Sequence, residues 1–158
     1  MPFQTGDIKF FGSSGGNLGG SPTAEIPDNA LHLVFPAISN EDLRSGRTEY
    51  RCIFIKNTTT DKTFFYVTVE LTVPPDGTRS PVETIEIGVD PRRGTPVQQI
   101  PNSSVAPDGV VFSNRPVEVG TLSPQEVQAI WLKRTVPAGT PPGGIIKVTL
   151  KVKGFSSS

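Results

Sequence analysis

The residues that could carry out chemistry in this chain are few, because it contains one histidine, His32, and one cysteine, Cys52. Nucleophilic catalysis needs a base beside the nucleophile, and histidine is the usual base. His32 has leucines on both sides and no acidic residue nearby in sequence, which favours a structural or exposed side chain. One Cys and one His cannot form a standard structural zinc site. We therefore expect no catalytic residue, no metal site and no cofactor, and a chain that is not an enzyme.

Two further kinds of site have candidate residues. Carboxylates close in sequence, Glu83 with Glu86 and Glu41 with Asp42, are the pairs that glycoside hydrolysis would use, although turn and solvent positions explain all four. A carbohydrate-binding module would need aromatic rings exposed on one sheet face. The candidates for such a platform are Tyr50, Tyr66 and Trp131. Each lies in a predicted strand, where packing in the core is the commoner fate, as it is for Cys52.

Composition limits both the fold and the partners. The chain has 158 residues, with 16 glycines and 16 prolines, and its 15 basic side chains balance 15 acidic ones. This length suits one domain, and so much Gly and Pro excludes a helical bundle. Zero net charge gives no field that attracts nucleic acid or an anionic membrane. No stretch approaches the roughly 20 apolar residues of a membrane span. The expected partners are other protein subunits.

The N-terminal segment, residues 1–28, has the composition of an extended Gly/Ser-rich arm. Residues 12–22 carry a single apolar side chain, too little to pack a core, so we predict a flexible arm preceding one β domain over residues 29–158. Apolar side chains near a free end suggest a segment that docks onto a neighbouring protein. The predicted partner-binding residues are Phe3, Ile8, Phe10, Phe11 and Leu18. Deleting residues 1–20 is then expected to leave the β domain folded.

Beyond the arm, apolar and polar residues alternate with the period of two that is typical of β-strands. The predicted strands cover residues 30–35, 49–56, 65–73, 84–89, 127–134 and 145–153, with short candidates at 97–100, 110–112 and 117–119. Residues 39–45 could form one helical turn. Strand 49–56 is apolar on both faces, which predicts a central position.

Two strands have one clearly apolar face. In strand 65–73 we predict that Phe65, Val67 and Val69 point into the core, and in the last strand that Leu150 does. Lys151 and the other lysines of the last strand would then form a solvated face on a protected sheet edge. Faces that alternate in this way must meet another such face, so we predict an all-β, antiparallel β-sandwich. An immunoglobulin-like arrangement is the first choice and a jelly roll the alternative.

Three segments resemble the pattern of small virion proteins of tailed bacteriophages. They are Ser13 to Gly20 (SSGGNLGG), Thr48 to Asn57 (TEYRCIFIKN) and Ala129 to Gly144 (AIWLKRTVPAGTPPGG). The resemblance covers about a third of the residues but extends from the arm to the last strand. The closing segment is also similar to the end of immunoglobulin-like domains, which supports the fold more than the function.

The resemblance implies a non-enzymatic structural component of the virus particle, assembled in the host cytoplasm and located in the virion. The first choice is a capsid decoration or cement protein that binds the major capsid protein, with self-association as a further contact. A tail, neck or baseplate accessory protein is the second choice. A carbohydrate-binding module for host attachment is an alternative of another class.

Overall fold

The computed structural model describes residues 7–26, 40–72, 84–139 and 149–156. These residues form eight strands and two short helices. The strands are β1 (Ile8–Ser13), β2 (Pro22–Ile26), β3 (Arg47–Asn57), β4 (Phe64–Thr72), β5 (Thr84–Val89), β6 (Val117–Leu122), β7 (Val127–Val136) and β8 (Thr149–Ser156). The helices are α1 (Ser14–Asn17) and α2 (Asn40–Ser45), and α2 confirms the predicted helical turn.

The strands are arranged in two antiparallel sheets, which confirms the all-β prediction. The large sheet has the order β2-β1-β3-β7-β5, and the small sheet has the order β6-β4-β8. β3 and β7 pair without interruption from Arg47 opposite Val136 to Lys56 opposite Val127. β3 lies between β1 and β7, so the central position predicted for strand 49–56 is confirmed.

Apolar side chains on both faces of β3 are explained by two separate cores. Ile53 and Ile55 point toward the small sheet, whereas Cys52 and Phe54 point to the opposite side of the large sheet. The first core, between the sheets, contains Ile53, Ile55, Ile87, Ile130 and Leu132 from the large sheet and Phe64, Val67, Val69, Val119, Leu122 and Leu150 from the small one. The second core contains Cys52, Phe54, Val97, Ile100, Ala129 and Trp131.

Residues 90–113, here called the covering segment, close the second core. Strands were predicted at 97–100 and 110–112, but the structure forms only isolated bridges there, Gly19 with Gln99 and Ile87 with Ser113. Three prolines interrupt the covering segment up to residue 101, and proline cannot donate to a β ladder. The segment therefore packs as an irregular third layer rather than as strands. The β6 prediction at 117–119 is confirmed and extends to Leu122.

The prediction of a flexible arm is wrong for residues 7–26. β1 pairs with β3 from Ile8 opposite Asn57 to Phe11 opposite Phe54, and β2 pairs with β1, so this segment forms one side of the large sheet. The glycines between β1 and β2 have no side chains that could pack. They instead allow the backbone to lie against the covering segment, where Val97 N–H donates to Gly20 O at 2.8 Å.

The register predicted for β4 is wrong at its start. Phe64 is fully buried, and Phe65, which was predicted to point inward, is 40% exposed. The pairing shifts between Phe64 and Val67 because Tyr66 adopts a positive φ of 56° and adds one residue to the strand. Such a bulge reverses the face of every side chain before it, since side chains alternate with a period of two. Beyond the bulge, Val67 and Val69 are buried as predicted.

β8 is an edge strand of the small sheet, as predicted. Leu150 is buried and Lys151 and Lys153 are exposed, which confirms the predicted alternation over the described part of this strand. Strand 30–35, His32, Phe3, residues 145–148 and the boundary at residue 28 lie outside the described residues.

Replacing Leu150 tests the first core. Leu150→Asp removes a buried apolar side chain and buries a charge, so we expect a loss of more than about 4 kcal/mol in the free energy of unfolding. Urea denaturation measures this loss. Lys151→Ser, at the exposed neighbouring position, is the control and should change stability by less than about 0.5 kcal/mol. A Leu150→Asp protein as stable as the control would contradict the inward position of Leu150.

Deleting residues 1–20 tests the corrected role of the N-terminal segment. The deletion removes β1, which leaves the edge of β3 unpaired and removes side chains that pack against both cores. We therefore expect the cooperative urea transition to be lost and a hydrophobic dye to bind the exposed apolar surface. Lys9→Ala, a change in β1 at a side chain that is 41% exposed, should retain the transition. If the truncated chain has the same urea transition as the full chain, residues 1–20 do not contribute to the fold and the prediction of an independent arm holds.

Candidate interaction surface

Trp131 is the largest side chain in the second core. It lies on β7 and is fully buried, and its indole Nε1–H donates to Asp90 Oδ2 at 2.8 Å. The same carboxylate accepts a hydrogen bond from the Arg92 backbone N–H at 2.9 Å and from Gln98 Nε2 at 3.1 Å. A buried carboxylate is tolerated only when its oxygens are satisfied, and these three donors satisfy Asp90. The hydrogen bond between Trp131 and Asp90 thus links β7 to the covering segment.

Gly19 is positioned where the N-terminal segment meets Trp131. A Cβ at this residue would lie 2.1 Å from Gln98 O and 3.0 Å from Trp131 Cη2, and its φ is +108°. Only glycine fits both the space and the conformation. The Gly19 backbone N–H donates to Ser13 Oγ at 3.0 Å, and that hydroxyl donates in turn to Cys52 O at 2.6 Å.

Residues from three segments that are far apart in the sequence, 13–20, 48–57 and 129–144, meet at one place, here called the junction. Ser13 and Gly19 come from the first segment, Cys52 from the second and Trp131 from the third. Cys52 and Trp131 are direct partners across the β3–β7 ladder. Residues of these three segments thus pack against one another and help to build the fold.

Cys52 behaves as a core residue, as predicted. Its side chain is fully buried, and burial raises the pKa of the thiol because the interior disfavours the thiolate. A thiol held protonated in this way is a poor nucleophile.

The predicted carbohydrate platform is not assembled. Trp131 is buried, and Tyr50 is half-buried with its ring centroid 5.6 Å from that of Phe112 in the second core. Tyr66 alone of the three candidates is exposed, with 79% of its surface accessible. Tyr50 and Trp131 belong to the second core, whereas Tyr66 lies on the small sheet, so the three rings do not form one exposed platform for a sugar chain.

One member of each predicted acidic pair forms an ion pair within the chain. Asp42 Oδ2 lies 3.2 Å from Arg47 Nη1, and Glu86 Oε1 lies 4.0 Å from Lys133 Nζ. Glu41 is an exposed residue of α2, and Glu83 lies outside the described residues. Among the residues that the structure describes, no group of three or more His, Cys, Asp or Glu side chains could hold a metal ion.

A buried ionic cluster closes one end of the first core. Glu49 is 3% exposed and pairs with Arg134, which faces it from β7, while Arg47 Nε lies 3.3 Å and Arg51 Nη2 3.8 Å from its other oxygen. Burial lowers the pKa of the Arg51 guanidinium, an effect that the charge of Glu49 opposes. The guanidiniums compensate the one buried carboxylate, so the cluster is a structural element that fixes how β3 and β7 align.

Four of the five predicted partner-binding residues contact the chain's own cores. Ile8 and Phe10 pack against the first core, and Phe11 and Leu18 pack against the second. Their apolar surface is partly buried within the molecule, because β1 is a strand of the large sheet. Phe3 lies outside the described residues, and a partner contact of this segment stays a prediction.

The exposed aromatic side chains lie instead on the outer face of the small sheet, here called the aromatic face. Phe65, Tyr66 and Phe155 are 40%, 79% and 59% exposed. Phe65 is paired with Phe155 across β4 and β8, and the Tyr66 and Phe155 rings meet edge to face with centroids 6.4 Å apart. Clustered exposed rings of this kind are uncommon on monomeric proteins and mark interaction sites.

Sequence reasoning missed this face because the bulge at Tyr66 determines it. Regular alternation places Phe65 inside, and an alternation of apolar and polar residues does not show where an extra residue has been inserted into the strand. One signal was available, since three consecutive aromatic residues, Phe64, Phe65 and Tyr66, cannot all point to the same core.

Comparison with known proteins identifies no relative of this chain: no protein-family model, characterised protein or solved structure matches it. Among the described helices, none is long and apolar enough to cross a membrane.

Replacing Gly19 tests the junction. Gly19→Ala adds a methyl group that collides with Gln98 O and touches Trp131, and Gly16→Ala is the matched control, because Gly16 also has a positive φ but has open space at its Cβ position. The strain of a positive φ, about 1–2 kcal/mol, is common to both variants. We expect Gly19→Ala to cost at least about 2 kcal/mol more in urea unfolding.

Fluorescence adds a local measurement, since Trp131 is the single tryptophan of the chain. Its emission should shift in Gly19→Ala and stay unchanged in Gly16→Ala. Equal stabilities and identical spectra for the two variants would show that Gly19 does not lie against the indole.

Proposed function

We propose that this chain is a non-enzymatic structural protein of a tailed-bacteriophage particle, located in the head, where it binds the major capsid protein and stabilises the lattice. The observation that carries the proposal is the junction: three segments far apart in sequence, each resembling small phage virion proteins, pack into one buried unit around Trp131.

The architecture supports a binding role in a lattice. The large sheet is covered on both faces, by the small sheet and by the covering segment, which gives a rigid body with two cores. The aromatic face supplies exposed apolar surface for contact with protein. In a repeated lattice many weak contacts add through avidity, so each copy needs only modest affinity.

The type of sandwich is also a proposal. From β3 to β8 each described strand lies in the other sheet from the one before it. Immunoglobulin-like domains keep some consecutive strands, such as D and E or F and G, in the same sheet. The alternation favours the jelly-roll alternative over the immunoglobulin-like arrangement.

Copy number in purified particles tests the function. Quantitative mass spectrometry of particles of the phage that carries this gene should find the chain in hundreds of copies, because a protein bound to the capsid lattice repeats with it. A small ring of copies would instead assign it to the neck, tail or baseplate. Its absence from particles would overturn the virion proposal.

A further inference from the structure

We infer that the aromatic face is a self-association surface, on which a second copy of this chain packs face to face about a two-fold axis that runs along β4. This inference goes beyond the proposed function and does not depend on it, since it follows from the arrangement of side chains on three strands.

On the aromatic face the two outer strands of the small sheet carry charges of opposite sign, and Glu70 of the central strand β4 lies between them. Thr68 on β4 is paired with Glu118 of β6 on one side and with Lys153 of β8 on the other, so the three residues form one row. Glu118 and Lys153 are both exposed, and strands lie about 4.8 Å apart, which places these charges on opposite sides of β4. Lys151, also exposed, adds a second positive charge on the β8 side.

A two-fold axis along β4 brings opposite charges together. Rotation about this axis places β8 of one copy over β6 of the other, so Lys153 faces Glu118 of the second copy, and the same contact repeats on the other side of the axis. A two-fold interface is self-complementary in this sense, because each contact occurs twice. The chain's zero net charge adds no long-range repulsion between copies.

The shape of the face matches the same arrangement. Phe155 of one copy lies over the region of Gly120 and Thr121 in the other, where side chains are absent or short. A Cβ at Gly120 would have no atom within 4 Å, so there is open space to receive a ring. Phe65 and Tyr66 lie near the axis, where they meet their own counterparts.

The sheet edge favours packing by the face rather than by strand addition. Lysines on an edge strand oppose pairing with a strand of another molecule, and β8 carries two of them. Glu70 and Lys153 already form an ion pair with 3.1 Å between Oε1 and Nζ, which holds the lysine on this face.

The size of the face sets the expected affinity. β4 has nine residues and the sheet three strands, which corresponds to a face of about 30 Å by 14 Å. That area is below the roughly 800 Å² per partner of a stable complex, so we expect a dissociation constant in the range of about 10 μM to 1 mM.

Charge reversal with the purified full-length chain tests the inference. In sedimentation velocity from about 1 μM to 1 mM, the wild-type chain should show a reversible monomer–dimer equilibrium. Lys153→Glu and Glu118→Lys should each weaken the dimer at least about tenfold, because like charges then face each other twice. Lys9→Glu, a charge reversal on the large sheet at a side chain that is 41% exposed, is the control and should leave the dimer unchanged.

Mixing the two reversed variants gives the decisive result. In the mixture the glutamate at position 153 of one copy faces the lysine at position 118 of the other, so a heterodimer should form at concentrations at which each variant alone is monomeric. This recovery cannot come from repaired folding, since the two chains remain separate. A wild-type chain that stays monomeric at about 1 mM, or a mixture that stays monomeric, would overturn the inference. The particle measurement is independent, so failure here leaves the virion proposal standing.

Discussion

The contact of Trp131 with Asp90 and Gly19 is the constraint on which the rest of the structure depends. An indole ring this large gains much from burial, but its N–H must keep a hydrogen bond, and Asp90 provides the acceptor. The carboxylate in turn needs donors, and the Arg92 backbone and Gln98 side chain of the covering segment supply them. The ring therefore holds an otherwise irregular segment in place, and the close approach of the Gly19 backbone brings the N-terminal segment to the same point.

The large sheet consequently lies in the middle of three layers. Its β3 and β7 strands are apolar on both faces because each face meets a different core. Antiparallel sheets commonly have one face in solvent, and strands of such sheets are apolar on one face only. The ion pair of Glu49 and Arg134 lies at one end of the first core and is nearly excluded from water. Such a buried pair contributes little net stability, but it penalises any slip of β3 against β7, because a shifted register would leave a charge without its partner.

With the large sheet enclosed, the outer face of the small sheet is where the described residues present aromatic side chains to solvent. The bulge at Tyr66 creates this face by turning Phe65 outward while Phe64 fills the core. Bulges often occur where a strand must direct a side chain toward a binding site. The same strand thus contributes to the stability of the molecule on its inner side and to the proposed association on its outer side.

The sequence by itself determined the elements whose signal is local. Alternation identified β3, β4, β5, β7 and β8, Gly and Pro content excluded long helices, and the apolar character of both faces of β3 placed it centrally. Cys52 was recognised as a core residue because a single thiol in an apolar run is more often a small buried side chain than a nucleophile.

Only the tertiary structure decided the features that depend on contacts between distant residues. A glycine-rich segment looks flexible in sequence, but residues 7–26 are ordered by pairing with β3 and by hydrogen bonds to a segment some 80 residues away, such as that of Val97 with Gly20. The bulge at Tyr66 lets Phe64 and Val67 both reach the core, and alternation with a period of two does not indicate where such an extra residue lies. Periodicity reports which side chains share a face, but the position of that face in the molecule is set by what packs against it.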